Sequence, residues 1–237
     1  MRLSDIVPLH LATVVFPDFH PLAGQEGVVR GFVIRHESGP ILLDTGVGLG
    51  NGDIDRWYQP KSVRIENALA EAGLDVTDLL AVVNSHLHFE HSGQNQAAGS
   101  CPVYVQLAEL AAADAPNFTI REWVRFPGAN YVELDGDYDL VPGVRLLSTP
   151  GHTPGHQSVV VETDEGLIVI AGQAIYSARE FLHLKSTRSL LEGDPPPDPS
   201  AYVESALRII DLQPAAVFFS HDETTVRAID SRPMADS

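Results

Sequence analysis

The chain of 237 residues is poor in cysteine, in positive charge and in long apolar runs. Its single cysteine, Cys101, cannot form an intrachain disulfide, and it excludes a metal site built from clustered thiolates. Lysine and arginine number 15 against 32 acidic residues, and the formal charge of −17 repels nucleic-acid phosphates and acidic membrane surfaces. No apolar run approaches the ~20 residues that a membrane span needs. We therefore expect a small-molecule partner, and neither nucleic acid nor membrane.

The start of the sequence also lacks the pattern of a signal peptide. Residues 1–16 hold one early arginine and an apolar stretch that His10 interrupts, with no small-residue cleavage site. Together with the lone cysteine, this pattern predicts a cytoplasmic protein. Hydrophobic residues make up 44% and charged residues 20% of the chain, which is typical of a folded globular protein. The anomaly is the presence of ten histidines in an acidic chain.

Strand patterns and helix patterns share the chain, without a linker long enough to separate two domains. We therefore expect one α/β domain over residues 1–237. Two predicted loops, 85–93 and 150–156, follow predicted strands, which is where α/β sheets place ligands. The predicted helices cover 62–73, 107–113 and 200–212, and the predicted strands cover 28–35, 41–44, 79–83, 103–105, 131–134, 144–148, 158–162, 167–171 and 217–220.

Three histidines and one glutamate occur within the six residues HLHFEH at 86–91. On an extended backbone His86 and His88 point to the same side, while Glu90 and His91 come from the turn that follows. Imidazole and carboxylate suit zinc, iron or manganese and need no sulfur. A solvated loop of histidines is the alternative, but the strand-and-turn context favours a metal site.

Further histidines follow other predicted strands. His152 and His156 lie in the loop PGHTPGH, and His221 directly follows the strand predicted at 217–220. Because loops beyond strand ends can meet in one cleft, the cluster at 86–91 favours a shared metal site for His221 over an ordinary core or surface position. The other four lack such context, and we expect structural or surface positions for His10, His20, His36 and His183.

These motifs together resemble the metallo-β-lactamase superfamily, whose signature is His-x-His-x-Asp-His followed by a distant His, a bridging Asp and a last His. Residues 41–46 (ILLDTG) resemble the strand and turn before the signature, 86–91 the signature, 150–156 the next ligand loop and 220–221 the last ligand position. The resemblance covers most of the chain. It implies an αββα metallo-β-lactamase-like sandwich, with a paired metal centre at the edge where two sheets meet.

Within the superfamily, the chain is most similar to the N-acyl-homoserine lactonase group. The similarity lies in residues 151–158 (GHTPGHQS) and in Tyr176, a tyrosine three residues beyond the bridging position. It implies divalent metal, with zinc expected and iron or manganese as alternatives. The implied ligands are His86, His88 and His152 for a first ion and Glu90, His91 and His221 for a second.

Other residues are expected to act beside the ligands. Asp44 would orient a ligand histidine, with a plain turn-forming role as its alternative, and His156 would support the loop of His152. Tyr176 would hydrogen-bond the substrate, with aromatic packing beside the site as its alternative. Glu90 would pass a proton to the leaving group.

Two positions depart from the family pattern. Glu90 replaces an Asp, which lengthens the side chain by one methylene and keeps its charge. Gln173 stands at the bridging position, and its neutral amide brings no charge to offset the repulsion between two cations. We expect either one tightly held metal or a pair in which Glu90 takes over part of the bridging.

The resemblance implies a metal-dependent hydrolase that uses a metal-activated water to open a lactone, with N-acyl-homoserine lactones as candidate substrates. Two alternatives stay open: a thioester hydrolase of the glyoxalase II type, and a catalytically weakened relative that binds metal or a small ligand, which Gln173 favours. Residues 16–25 and 180–199 are expected to wall the substrate pocket. A homodimer is compatible with the resemblance.

Overall fold

The computed structural model describes residues 1–193 and 195–228, and it contains two β-sheets. The strands of the first sheet are β1 (Ile6–Val15), β2 (Glu26–His36), β3 (Gly39–Leu43), β4 (Lys61–Ser62), β5 (Ala81–Val83), β6 (Val103–Gln106) and β7 (Tyr131–Leu134). Their spatial order is β4-β1-β2-β3-β5-β6-β7. Pairing is antiparallel from β4 to β3 and parallel from β3 to β7.

The second sheet contains β8 (Tyr138–Val141), β9 (Val144–Ser148), β10 (Gln157–Thr163), β11 (Gly166–Ile170), β12 (Ala216–Phe218) and β13 (Val226–Arg227). Their spatial order is β13-β12-β11-β10-β9-β8, and β11 and β12 form the parallel pair. The helices are α1 (Gly52–Tyr58), α2 (Ile65–Glu71), α3 (Phe89–Ser92), α4 (Leu107–Ala112), α5 (Arg121–Val124), α6 (Ala178–Thr187) and α7 (Pro199–Asp211). Across the described ranges, no helix has both the length and the apolar character of a membrane span.

Alternating side chains on the strands explain why the two sheets stack between helices. On β3, Ile41 and Leu43 face the core between the sheets, whereas Leu42 faces the core that α2 covers. On β11, Val169 packs with residues of α6 and α7, while the isoleucines on either side of it face the first sheet. Both faces of each sheet are therefore buried in the middle of the fold, which confirms the predicted αββα sandwich.

Most predicted strands lie within two residues of their observed positions. The helix predicted at 62–73 begins later, at Ile65, because Ser62 pairs with β1 as part of β4. The sequence predicts no element where β1, β8 and α6 lie, and α3 is a single helical turn inside the loop predicted at 85–93. The domain boundaries predicted at 1–237 also include residue 194 and residues 229–237, which lie outside the described residues.

The ends of five strands meet along one edge of the sandwich. β3 ends before Asp44, β5 before residues 84–88, and β9 before residues 149–156. β11 leads into residues 171–173 and β12 into residues 219–221. All the residues that the sequence singles out for metal binding lie at these strand ends or in α3, which follows one of them.

Glycines allow α3 to lie directly against the loop after β3. Gly93, at the end of α3, donates its N–H to the carbonyl of Gly46 at 2.9 Å. A Cβ built on Gly93 would overlap the backbone nitrogen of Gly48 and lie 2.7 Å from its Cα. This close contact holds α3, which carries Glu90 and His91, in place.

We expect Gly93→Ala to lower the free energy of unfolding by about 1–3 kcal/mol, because the new methyl group meets backbone that cannot move aside. Gly52→Ala is the control, since a Cβ at Gly52 has open space around it and removing the glycine restricts the unfolded chain. Urea unfolding followed by circular dichroism measures both. Equal stability of the two variants would contradict the close packing.

Candidate functional site

The first group of candidate ligands lies where the loop after β5 meets the loop after β9. Nε2 of His86 is 3.1 Å from Nδ1 of His88, and that Nδ1 is 3.2 Å from Nε2 of His152. Each residue offers one ligand nitrogen within 4.8 Å of the others. The three imidazoles can therefore surround a single small ion.

The second group shares His86 with the first and adds Glu90 and His91 from α3, again with ligand atoms within 4.8 Å of one another. Nε2 of His91 is 3.8 Å from Oε1 of Glu90 and 3.2 Å from Nε2 of His221, the residue that follows the strand end at Ser220. The structure thus brings together all six residues expected as ligands from the resemblance: His86, His88, Glu90, His91, His152 and His221.

Hydrogen bonds on the outer side of two rings fix which nitrogen faces the centre of the second group. Nδ1 of His91 donates to the carboxylate of Asp44 at 2.8 Å, and Nδ1 of His221 donates to the carbonyl of Val28 at 2.7 Å. In the neutral rings, the Nε2 lone pairs of His91 and His221 therefore face each other. Such an arrangement needs a cation or a proton between the two nitrogens.

Two oxygen atoms at the site are buried without a hydrogen-bond partner of normal geometry: Oε2 of Glu90 and Oε1 of Gln173. Buried polar atoms are normally hydrogen-bonded or coordinate metal, because desolvation without compensation costs free energy. With the surrounding imidazoles, these oxygens complete the nitrogen and oxygen donors that suit zinc. The residues present therefore fit a divalent metal.

Burial keeps most of the imidazoles in the neutral form that binds metal. Burial, reinforced by neighbouring imidazoles, lowers the pKa of His86 and His152 well below the usual value. The pKa of His221 falls to about 4 for the same reasons. His91 differs, because burial, which lowers its pKa, is outweighed by the combined effect of Asp44, Glu90 and Gln173, so that its pKa is raised.

Asp44, directly after β3, connects the loop after β5 with α3, the two segments that carry His86 and His91. It is fully buried and adopts a positive φ of 62°. Its carboxylate accepts the N–H and the Oγ–H of Ser85, each at 2.7 Å, as well as Nδ1–H of His91. Oγ of Ser85 also lies 3.1 Å from Nδ1 of His86. These contacts support the expected orienting role of Asp44 over a plain turn-forming one.

The side chain of His156 supports the backbone at position 173. Its Nε2 accepts the N–H of Gln173 at 2.9 Å, and its Nδ1 lies 2.9 Å from Oγ1 of Thr149. Burial lowers the pKa of His156 to about 3, so the ring is neutral. Gly172 has a positive φ of 62°, and a Cβ there would lie 2.7 Å from Nε2 of His156. The position of Gln173 is therefore set by backbone contacts.

A cavity of about 290 Å³ opens onto both ligand groups. The Tyr176 ring lies at this cavity, stacked on His221 with 5.1 Å between ring centroids. Burial, together with the negative charges of Glu90 and Glu180, raises the pKa of Tyr176 to about 12. The remaining wall is largely apolar, and it includes Val14, Phe16, Val29, Tyr58, Phe89 and Phe118.

The predicted pocket walls are partly correct. The segment 16–25 contributes Phe16 and His20 to the cavity, although the sequence placed His20 at a structural or surface position. The prediction for residues 180–199 is wrong, since none of their described members lines the cavity. Part of that segment forms α6, which packs onto the second sheet through Phe181 and Leu184.

Two carboxyl groups near the site, the buried Glu109 and the partly buried Glu180, are missed by sequence reasoning. Glu180 accepts the N–H of Tyr176 at 2.6 Å, and Glu109 accepts N–H groups from both ligand loops of the first group. The available signal for Glu109 is an acidic residue within the apolar helix pattern LAELAA, directly after a strand. Nothing in that pattern shows which loops the side chain contacts.

Comparison with known proteins identifies the family. The profile of the Metallo-beta-lactamase superfamily matches residues 25–221. An N-acyl homoserine lactonase of Bacillus thuringiensis is 35% identical over 204 residues, which cover 81% of this chain and 80% of the relative. An N-acyl homoserine lactonase of a Bacillus species is 41% identical over 163 residues, but the match spans 63% of this chain and 65% of that relative.

Solved structures agree with this relationship. A mutant of the B. thuringiensis lactonase AiiA, with N-decanoyl-L-homoserine bound at its active site, superposes with a TM-score of 0.78 at 30% identity over 94% of this chain and 95% of its own. An N-acyl homoserine lactone hydrolase with N-hexanoyl-L-homoserine at its catalytic metal centre gives a TM-score of 0.75 at 31% identity, with 92% of each chain covered. The chain therefore belongs to the metallo-beta-lactamase superfamily and, within it, to the family of the N-acyl homoserine lactonases.

Proposed function

We propose that this protein is a metal-dependent hydrolase that opens the ring of N-acyl-homoserine lactones. The observation that carries the proposal is the pair of ligand groups that share His86, at one end of a cavity lined by Tyr176 and apolar side chains. The lactonase names of the relatives and the N-acyl-L-homoserines bound to two structural neighbours support the same substrate class.

Residues of both groups would hold the metal. His86, His88 and His152 would bind one ion and Glu90, His91 and His221 a second, with Oε1 of Gln173 available beside them. Zinc is the expected ion, with iron or manganese as alternatives. When bound, a divalent metal of this kind polarises a carbonyl and makes water a stronger nucleophile.

Tyr176 would bind the lactone carbonyl. Because its pKa is raised to about 12, the phenol stays protonated at physiological pH and can donate a hydrogen bond. A donor at the carbonyl oxygen becomes more valuable as that oxygen gains negative charge in the tetrahedral state. Stacking on His221 and the bond from its backbone N–H to Glu180 hold the ring in one orientation.

Glu90 would carry a proton. Burial opposes its ionisation, but the imidazoles of His91, His88 and His221 outweigh burial and lower its pKa, so the carboxylate is charged at neutral pH. A carboxylate oxygen of Glu90 that is not bound to metal would take a proton from the attacking water and return it to the alkoxide released when the ring C–O bond breaks. The products are a carboxylate and a hydroxyl on one molecule, with one proton released at neutral pH.

The cavity suits a neutral substrate with an apolar tail. Its volume of about 290 Å³ is close to the lower end of small-molecule sites, roughly 300–1,000 Å³. The apolar wall would bury the acyl chain, while the lactone ring reaches the ligand groups. The formal charge of −17 does not repel an uncharged lactone as it would a polyanion.

The named relatives favour a lactone over a thioester of the glyoxalase II type. The proposal extends to a cytoplasmic enzyme, which agrees with a chain whose single cysteine, Cys101, is free. A homodimer also remains part of the proposal.

The test is a substrate panel assayed by proton release with zinc, manganese or iron added separately. We expect turnover of N-acyl-homoserine lactones to exceed that of simple esters, thioesters and β-lactams. His88→Ala should lower kcat/KM by roughly 10²-fold or more, because even residues that only orient a ligand contribute 10–100-fold. His36→Ala removes an imidazole outside both groups and should leave the rate unchanged. Faster thioester than lactone hydrolysis would reject the proposed substrate.

Tyr176→Phe tests the donor role. Loss of one hydrogen bond to the developing oxyanion should lower kcat by about 10²-fold while KM changes little. Tyr104→Phe, which removes a hydroxyl outside the cavity, is the control. An unchanged kcat in Tyr176→Phe would leave the ring with a packing role alone.

Gln173→Asp tests how many ions the site retains. We expect the wild type to lose its second equivalent of metal on dialysis against a weak chelator, and Gln173→Asp to bind that ion at least ~10-fold more tightly, because it adds a negative charge beside the ligand groups. Gln173→Asn is the control, since it has the length of Asp without the charge. Two equivalents retained by the wild type would exclude the single-metal version.

The activity of Gln173→Asp also tests the alternative of a catalytically weakened relative, which the neutral amide favours. A large gain in lactone turnover would show that Gln173 limits the natural site. A loss of turnover would show that the amide belongs to a working variant of the site.

A further inference from the structure

A single buried carboxylate joins the two loops that carry the first ligand group. Glu109, in α4, is fully buried. Oε1 accepts the N–H of Leu87 at 2.9 Å, and Oε2 accepts the N–H of Gly155 at 2.9 Å. Leu87 lies between His86 and His88, so each oxygen of Glu109 holds one of the two ligand loops.

The packing around Glu109 is tight on the side of Gly155. A Cβ built on Gly155 would lie 2.5 Å from Cβ of Glu109 and would also overlap its backbone nitrogen. The loop that follows His152 therefore lies directly on the first turn of α4. The position of this loop relative to α4 is therefore set at Gly155.

We propose that Glu109 is a positioning residue, which sets the spacing between the loop of His86 and His88 and the loop of His152 so that the three imidazoles fit one metal ion. The inference rests on the ligand assignment of the proposed function and not on its substrate. Glu109 touches neither the cavity nor a candidate ligand atom, so it acts through the backbone of the two loops.

The carboxylate is suited to this role because both of its oxygens are acceptors. In Glu109→Gln the volume is nearly unchanged, but one oxygen becomes an NH₂ group that faces an N–H donor. One loop then keeps its hydrogen bond, while the other meets a repulsive contact and must move. The distances from the ligand nitrogen of His152 to those of His86 and His88 change when one loop moves relative to the other. We therefore expect metal affinity to fall.

Glu180 provides a matched control. It is a partly buried glutamate near the start of a helix, and it accepts hydrogen bonds from the N–H of Tyr176 at 2.6 Å and from the hydroxyl of Tyr202 at 3.0 Å. Burial raises the pKa of both Glu180 and Glu109. Glu180→Gln therefore makes the same chemical change at a less deeply buried glutamate, and none of its hydrogen bonds reaches a loop of the first ligand group.

The experiment measures zinc affinity without substrate. Each full-length protein is stripped of metal with a chelator and titrated with zinc against a chromophoric competitor, and the apoproteins are unfolded in urea. We expect the tighter zinc ion to bind about 10–100-fold more weakly in Glu109→Gln and within twofold of the wild type in Glu180→Gln. Wild-type affinity in Glu109→Gln, or equal weakening in both variants, would overturn the proposal.

A second variant covers the case in which Glu109→Gln fails to fold. If Glu109→Gln does not fold without metal, Glu109→Asp replaces it, because the shorter carboxylate cannot reach both N–H groups, and less than twofold weakening overturns the proposal. If the wild type binds zinc but opens no lactone, the proposed function fails while the positioning of the ligand loops is still tested.

Discussion

The site depends on the buried carboxylate of Asp44. It accepts hydrogen bonds from Ser85 and His91, and through Ser85 it also reaches His86. Such a carboxylate fixes the proton on Nδ1 of His91 and leaves Nε2 directed at the ligand group. The positive φ of Asp44 lets β3 end there and the chain turn towards α3. Backbone direction, ring orientation and protonation state are thus set at one residue.

Local sequence patterns predict the strands that are marked by an apolar run between turn residues. Strands such as β7 and β9 are short apolar runs between turn residues, and they form where the pattern places them. β4 exists only because Lys61 and Ser62 pair with β1, a contact between distant segments that no local pattern contains. β8 has only four residues and lies between two turns. The glycines and the proline of those turns favour a loop in the local sequence pattern. α6 carries a cap at Ser177, but its mixed polar composition masks the buried face.

The candidate site shows the same difference between local patterns and contacts between distant segments. The imidazoles at 86–91 are evident from their density, and those at His152 and His221 from their position after strands. The positions of Glu109 and His20 at the site depend on tertiary contacts. Glu109 bridges two loops, and His20 lines the cavity. A sequence pattern names the residue types that can bind metal, whereas the residues that space those ligands can come from any element packed beside them.

The two departures from the family signature have different physical consequences. Glu90 and Gln173 both exceed an Asp in length by one methylene, and each places a buried oxygen without a protein partner at the site. The backbone at 173 is held by His156 and by the conformation of Gly172, so its position does not depend on the side chain it carries. Exchange of amide for carboxylate at this position therefore changes the charge of the site more than its geometry. In the proposed metal site, Glu90 would then supply the negative charge of the second ligand group, and we expect the affinity of that group for a cation to depend on the ionisation of this one carboxylate.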